Sequence, residues 1–179
     1  PQDIAHIPHP RIGTVGALDA YKVDIELLEA IAREHPDWHL VLVGPVDYSE
    51  TGDAENVRKL GQLPNVHFLG PKPREEVPAY VHAFDVAIIP YRESPYNAAS
   101  FPLKFWEFLA TGKPVVASGL PSLEPYRHLV TLVSSPEAFV RGIQDALEHG
   151  AESREVRVAE SKRHTWESRL NVIEKLVRS

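Results

Sequence analysis

The chain has 179 residues, and 19 Lys+Arg against 25 Asp+Glu leave a formal charge of −6 at pH 7. It has no cysteine, which excludes a disulfide framework, a thiolate nucleophile, a cysteine zinc site and an iron–sulfur cluster. A net acidic chain without a basic block is a poor candidate for general nucleic-acid binding, and no apolar run approaches the ~18–20 residues of a membrane span.

Residues 1–10, rich in Pro and His and without periodicity, read as a linker-like arm. Arg11 to Gly16 is an apolar stretch of strand length. Asp24 is placed to cap a helix in which Ile25, Leu28, Ile31 and Ala32 recur at helical spacing, and Pro36 ends it. A second strand follows at 38–44, a short helix at 54–62 and a third strand at 65–70. A helix over 74–83 has Val77, Tyr80 and Val81 on one face. The fourth strand is 85–90, and Pro102 opens a helix over 102–110 that Gly112 and Pro114 stop. Strands at 115–118 and 130–133 follow. Ser134-Ser135-Pro136-Glu137 then carries Ser-x-x-Glu capping chemistry with Pro near the first position. From about residue 152 one long helix is predicted, with a stripe of Trp166, Leu170, Ile173 and Val177. Trp166 is expected to pack, either in the core or against protein beyond this chain.

Short apolar strands alternating with amphipathic helices mean βαβ units. The predicted fold is α/β: a Rossmann-like, doubly wound parallel sheet of about six strands in the order 3-2-1-4-5-6, forming one domain over 11–179. Ligands of such sheets bind outside the carboxyl ends of the strands, which singles out the loops 16–23, 44–53, 70–73 and 90–101.

Several signatures are absent. There is no spaced G-x-G-x-x-G turn, P-loop, G-x-S-x-G or H-E-x-x-H, and no D-x-D pair to hold a metal–diphosphate. His6 and His9 are three apart on a Pro-broken arm, too few for zinc. No metal and no permanently bound cofactor is expected.

What remains is the segment 84–118. Lys104 and Glu107 are three apart and share a helix face. A helix N-terminus offers N–H groups to an anion, Lys104 adds a point charge, and Glu107 can accept from a pair of ribose hydroxyls. Together they suit a nucleoside diphosphate. The competing reading is a surface pair on an amphipathic helix whose core face is Phe101, Phe105, Phe108 and Leu109.

FDVAIIPY followed by PLKFWEFLATGKPVVAS resembles the C-terminal half of GT-B glycosyltransferases of family 4, also called group 1. That family has a strand ending in Pro, a loop, an E-x7-E element and then A-x-G-x-P-V-V. Glu107 matches the second glutamate, and Ala110, Gly112, Pro114, Val115 and Val116 match the tail. IGTVG at 12–16, LVLVGP at 40–45, NVHFLGP at 65–71 and the HTWESRL segment around Trp166 extend the resemblance over about residues 11–178. Two departures stand out. The first glutamate falls at Ala99, and the arginine expected after Gly16 is Ala17.

The resemblance implies a retaining transfer of sugar from a nucleoside diphosphate sugar to an acceptor. It implies Lys104 as the catalytic group that stabilises the leaving diphosphate, as in a bacterial polysaccharide and cell-surface subgroup with Pro-Leu-Lys here. The implied donor-binding set is Gly16, Ala17 and Lys22 in the first loop and Gly44 after the second strand. Gly70, Pro71 and Lys72 meet the base through their backbone. Tyr91 and Asn97 lie in the fourth loop, and Pro102, Leu103, Lys104 and Glu107 open the helix. The partners implied are the nucleotide sugar and an N-terminal acceptor-binding domain of the same protein. The chain starts at Pro1 and has no methionine, so a fragment that binds donor and does not turn over alone is expected. The location expected is the cytoplasm, with the inner face of the membrane left open. Two alternatives stay open: another GT-B nucleotide-sugar enzyme such as an epimerase, and a non-catalytic nucleotide-binding domain.

Overall fold

The apolar runs become parallel strands because both their faces are covered. In the computed structural model, which describes residues 1–19, 21–47 and 54–178, the strands are β1 (Arg11–Val15), β2 (Leu18–Asp19), β3 (His39–Val43), β4 (Val46–Asp47), β5 (Val66–Gly70), β6 (Val86–Ile89), β7 (Val115–Ser118) and β8 (Thr131–Val133). A six-stranded sheet runs β5-β3-β1-β6-β7-β8, all parallel, and β2 pairs with β4 as a separate short ladder. This is the predicted order, with its switch point between β1 and β6. Every residue of β1 and β6 is buried, as strands covered by helices on both sides require.

The helices are α1 (Gln2–Ala5), α2 (Ile25–Glu34), α3 (Ala54–Leu60), α4 (Val77–Ala83), α5 (Pro95–Ala98), α6 (Lys104–Thr111), α7 (Pro136–His149), α8 (Arg154–Ser161) and α9 (Trp166–Val177). One layer holds α2, α3 and α7; the other holds α4, α6 and α8. Asp24 caps α2 as predicted, its carboxylate accepting from the Leu27 amide at 2.9 Å. At α7 the cap is Ser135, which accepts from the Ala138 amide. The capping position is therefore one residue later than the Ser134–Glu137 spacing suggests.

The arm at 1–10 is built into the fold. Gln2–Ala5 is helical, and Ile4 and Ile7 are each 1% exposed. Arg11 is buried and holds the arm by its backbone: Nε and Nη2 donate to the Ile7 carbonyl at 2.8 and 2.6 Å, and Nη2 also to Ala5. Asp85 accepts from the Arg11 amide at 2.7 Å and bonds the His9 ring at 2.6 Å. The two buried isoleucines, four positions from Arg11 and seven, are the apolar side chains that a reading by composition passes over.

The single long helix from about 152 is two helices. Lys162–His164 tightens into a 3₁₀ turn, and Thr165 leaves helical geometry at φ −70, ψ 157. Its side chain accepts from the Ser168 amide and starts α9 afresh. The break places His164 flat on Trp106, with ring centroids 3.7 Å apart. Arg157 donates to the carbonyls of Gly112 and Gly150 and pins α8 to the end of α6. Beyond the break, Trp166, Leu170 and Ile173 are exposed.

Candidate functional site

A cleft of about 660 Å³ opens at the carboxyl end of β1 and β3, beside the switch point. Gly16 and Gly44 form its floor. Both have positive φ, +110 and +147, and a Cβ at Gly44 would stand 2.1 Å from the Gly16 carbonyl oxygen. Only glycine allows that approach. The Gly16 amide donates to Val43, and the Gly44 amide to Gly70, so three strand ends are locked together.

Helix α6 supplies the polar wall. It begins at Lys104, two residues after the predicted start. No side chain caps it, and the Pro102 carbonyl accepts from the Phe105 amide at 2.9 Å. Lys104 reaches over the floor: a Cβ built on Gly16 would lie 3.2 Å from its Nζ. That ammonium stands 5.3 Å from the centre of the Tyr91 ring, a cation–π distance. Burial, then the neighbouring Lys22, lowers the Lys104 pKa to about 8, against the raising pull of Glu107 and Asp19. Among the described residues no ion pair joins Lys104 to Glu107. The surface-pair reading fails here, because Lys104 points to the floor while Glu107 lines the cleft one turn on.

The opposite wall is α4 with the loop before it. Pro71, Lys72, Arg74, Val77, Val81 and His82 face α6 across the cleft. Arg74 and His82 escaped the sequence reading. The helix was predicted, but only its position against α6 shows that one edge lines a cavity. The Lys72 ammonium is engaged elsewhere: it lies 2.6 Å from the Asp3 carboxylate, which also accepts from the Tyr80 hydroxyl. That pairing raises the Lys72 pKa and lowers that of Asp3. It ties the arm to the rim of the cleft.

Other expected residues sit outside the cleft wall. Ala17 is exposed on the loop after β1, and Pro102 is buried beneath the start of α6. Gly70, at φ +67, meets the floor only through its carbonyl. Asn97 is 1% exposed, and its Nδ2 donates to the Lys22 carbonyl at 3.0 Å and to Arg92 at 2.8 Å. It fastens the fourth loop to the first. Tyr91 is buried, its phenol pushed up to about 12 chiefly by burial. With Asn97 it lines a second cleft of about 330 Å³, on the α2–α7 side. Lys22 lies 5.6 Å from the ring centres of both Tyr21 and Tyr96. Of the loop 44–53, residues 48–53 lie outside the described residues. Among the described residues no group of three or more His, Asp or Glu side chains could hold a metal ion, and no helix is long and apolar enough to cross a membrane.

The sheet order, the switch point and the glycine-floored cleft define the chain as a Rossmann-like α/β domain of the type that forms the C-terminal half of GT-B enzymes. It belongs to the group 1 glycosyl transferases, whose family profile matches residues 9–149. TuaH of Bacillus subtilis (strain 168), named as a teichuronic acid biosynthesis glycosyltransferase, is 36% identical over 161 residues. That alignment takes in 87% of this chain and 40% of TuaH. Sucrose-phosphate synthase from Thermosynechococcus elongatus superposes with a TM-score of 0.78 at 26% identity, over 99% of this chain and 47% of that one. Anabaena Alr3699/HepE in complex with UDP shares the fold, with a TM-score of 0.71 at 19% identity over 100% of this chain and 53% of that one. The chain thus spans about half the length, or less, of these relatives.

Proposed function

We propose that this chain is the donor-binding half of a retaining glycosyltransferase that transfers sugar from a nucleoside diphosphate sugar. The observation that carries the reading is the mostly buried Lys104 ammonium, set over Gly16 and unpaired with Glu107 at the strand ends. Glu107 and Asp19 favour the ammonium from a distance, with no ion pair to it among the described residues; a diphosphate would supply a direct counter-charge. Departure of the nucleoside diphosphate builds negative charge, so fixed positive charge at that point lowers the barrier. Lys104 would take that role, with the α6 N-terminus beside Leu103 and Lys22 adding weaker attraction. Glu107, a turn away, would accept from the ribose hydroxyls, and the backbone of Gly70-Pro71-Lys72 would meet the base. HepE was solved with UDP, which makes UDP the first probe.

Titration calorimetry with UDP, GDP and dTDP tests the reading. One of them binds, and Lys104→Ala and Glu107→Ala each weaken it. Absence of binding by all three at millimolar concentration would sink the proposal.

The relatives are longer than this chain, and on this reading the acceptor site belongs to the part of the protein beyond it. The exposed face of α9, with Trp166 at 66% and Leu170 at 57% exposure, suits docking of that remainder. Transfer to a supplied acceptor by the 179-residue chain alone would refute this division of labour. Ala17 and Ala99 favour one rival, a domain that binds nucleotide without turnover. Product analysis of the full-length protein with donor and acceptor separates the two.

A further inference from the structure

Three lysine and arginine residues line the cleft at the strand ends, and they are not equally available. Lys104 stands over the Gly16 floor, while Lys72 and Arg74 line the wall across from it. Among the described residues, Lys104 and Arg74 are in no ion pair, whereas the Lys72 ammonium lies 2.6 Å from the Asp3 carboxylate. Asp3 belongs to the arm, 69 residues earlier in the chain.

Both partners are held from outside the pair. On the arm, Asp3 sits in α1 next to Ile4, which is buried, and Arg11 bonds the arm's carbonyls. The carboxylate is therefore delivered by docked backbone. On the wall, Lys72 stands between Pro71 and Pro73. A residue before proline is confined to extended backbone, so the main chain at Lys72 has little freedom and its ammonium moves by side-chain rotation. The Tyr80 hydroxyl donates to the Asp3 carboxylate, 2.8 and 3.0 Å from its two oxygens. The Lys72 ammonium also lies 5.3 Å from the centre of the Tyr80 ring, a cation–π distance. The Lys72 side chain is 18% exposed and that of Asp3 39%. A pair this sheltered, with a third partner, differs from a solvated surface ion pair. It fixes the ammonium at the rim and cancels its charge there.

We propose that Asp3 is a positioning residue of the donor cleft: it holds the Lys72 ammonium at the rim, and a nucleoside diphosphate in the cleft competes with it for that charge. This rests on the donor-site reading above. Asp3 acts through Lys72, which lines the cleft and, once released, brings three N–H donors and a full charge to a phosphate. Docking of the arm thus sets how many cations the cleft presents. Lys104 and Arg74 are available with the latch closed, and Lys72 joins them when it opens. By linkage the dependence runs both ways, so a bound diphosphate weakens the hold of Asp3 on Lys72 by the same factor.

Calorimetry with UDP, GDP and dTDP tests this. Asp3→Asn keeps an oxygen for the Tyr80 hydroxyl and removes the charge. It is expected to tighten the nucleoside diphosphate about three- to tenfold, the pull of one more unit charge on a diphosphate across a solvated cleft. The gain is expected to shrink as salt is raised from about 50 to about 500 mM. In a Lys72→Met background the same substitution is expected to change affinity by less than about twofold, because the cation it frees is absent. Tyr80→Phe loosens the same contact without altering charge and is expected to stay within about twofold. A merely structural role for Asp3 predicts another pattern, in which Asp3→Asn and Tyr80→Phe both weaken the nucleotide. Should Asp3→Asn leave affinity unchanged or lower, or tighten it equally in the Lys72→Met background, Asp3 does not act through Lys72. Should Tyr80→Phe tighten it as much, the cause is release of the arm and not charge. Either result overturns the proposal while the donor cleft stands. Should no nucleotide bind the unaltered chain, the donor-site reading fails and takes this role for Asp3 with it.

Discussion

The two ends of the sheet treat buried charge in opposite ways. At the amino end, Arg11 is 8% exposed and directs its guanidinium at the carbonyls of Ile7, Ala5 and Ala83. Asp85 is matched there by His9 and by the Arg11 amide. At the carboxyl end, Lys104 is mostly buried, lies against an aromatic ring and a glycine, and has no ion pair with Glu107. Charge at the amino end is spent on holding chain to chain. Charge at the carboxyl end is left available, which is what a site for an anion needs.

The contrast is sharpest in stability. Arg11→Met strands the Ile7 carbonyl and releases the arm, and it is expected to cost about 2–4 kcal/mol in urea unfolding. Lys104→Met removes a mostly buried cation that has no direct ion pair among the described residues, and is expected to leave stability unchanged or higher. If the lysine variant is the more destabilised of the two, the contrast collapses. Ligand binding is expected to reverse the ranking. Lys104→Ala should lose about 10–100-fold in nucleoside diphosphate affinity by calorimetry, the worth of a charged hydrogen bond of ~1.5–3 kcal/mol.

Titration should sharpen the comparison further. With its pKa lowered to about 8, Lys104 loses its charge as the pH rises from 7 to 9. Affinity for a nucleoside diphosphate is expected to fall by up to about tenfold over that range, and Lys104→Arg should keep it flat. The sign is opposite at the amino end of β3 and β5. There His39 Nδ1 and His67 Nε2 are 2.9 Å apart. Burial lowers both pKa values from 6.5, with Arg11 adding to the effect on His39 and His39 and His6 to that on His67. The unfolded chain binds protons more readily, so stability holds above pH 6.5 and is lost as the pH falls below it. This is the smallest of the effects. Thermal unfolding between pH 7 and 5 measures it, and His67→Gln should flatten the slope.

The six strands of the main sheet were legible because each is a short apolar run, and their order follows from the alternation with helices; the two-residue strands β2 and β4 lie in segments read as loops. Lys104 and Glu107 were legible because three-residue spacing puts them on one face of a short helix. The rest depends on contacts distant in sequence. Arg74 and His82 become wall residues only when α4 comes to rest against α6. Asn97 has the composition of a loop contact, yet it is buried by carbonyls that the first loop supplies. The break at Thr165 hides inside an amphipathic stripe, since Trp166, Leu170 and Ile173 keep helical spacing across α9 whether or not the helix began earlier.

The docked arm also has a place in time. Its bonds, from Asp3 to Lys72 and Tyr80, Arg11 to Ala83, and His9 to Asp85, span 69 to 77 residues. Residues made early on the ribosome must therefore wait until residue 85 has emerged before they find their partners. Ile4 and Ile7 stay uncovered through that interval, and loop closure over such distances is slow. The rim of the cleft, held through Lys72, is then finished by a segment made before it and docked after it.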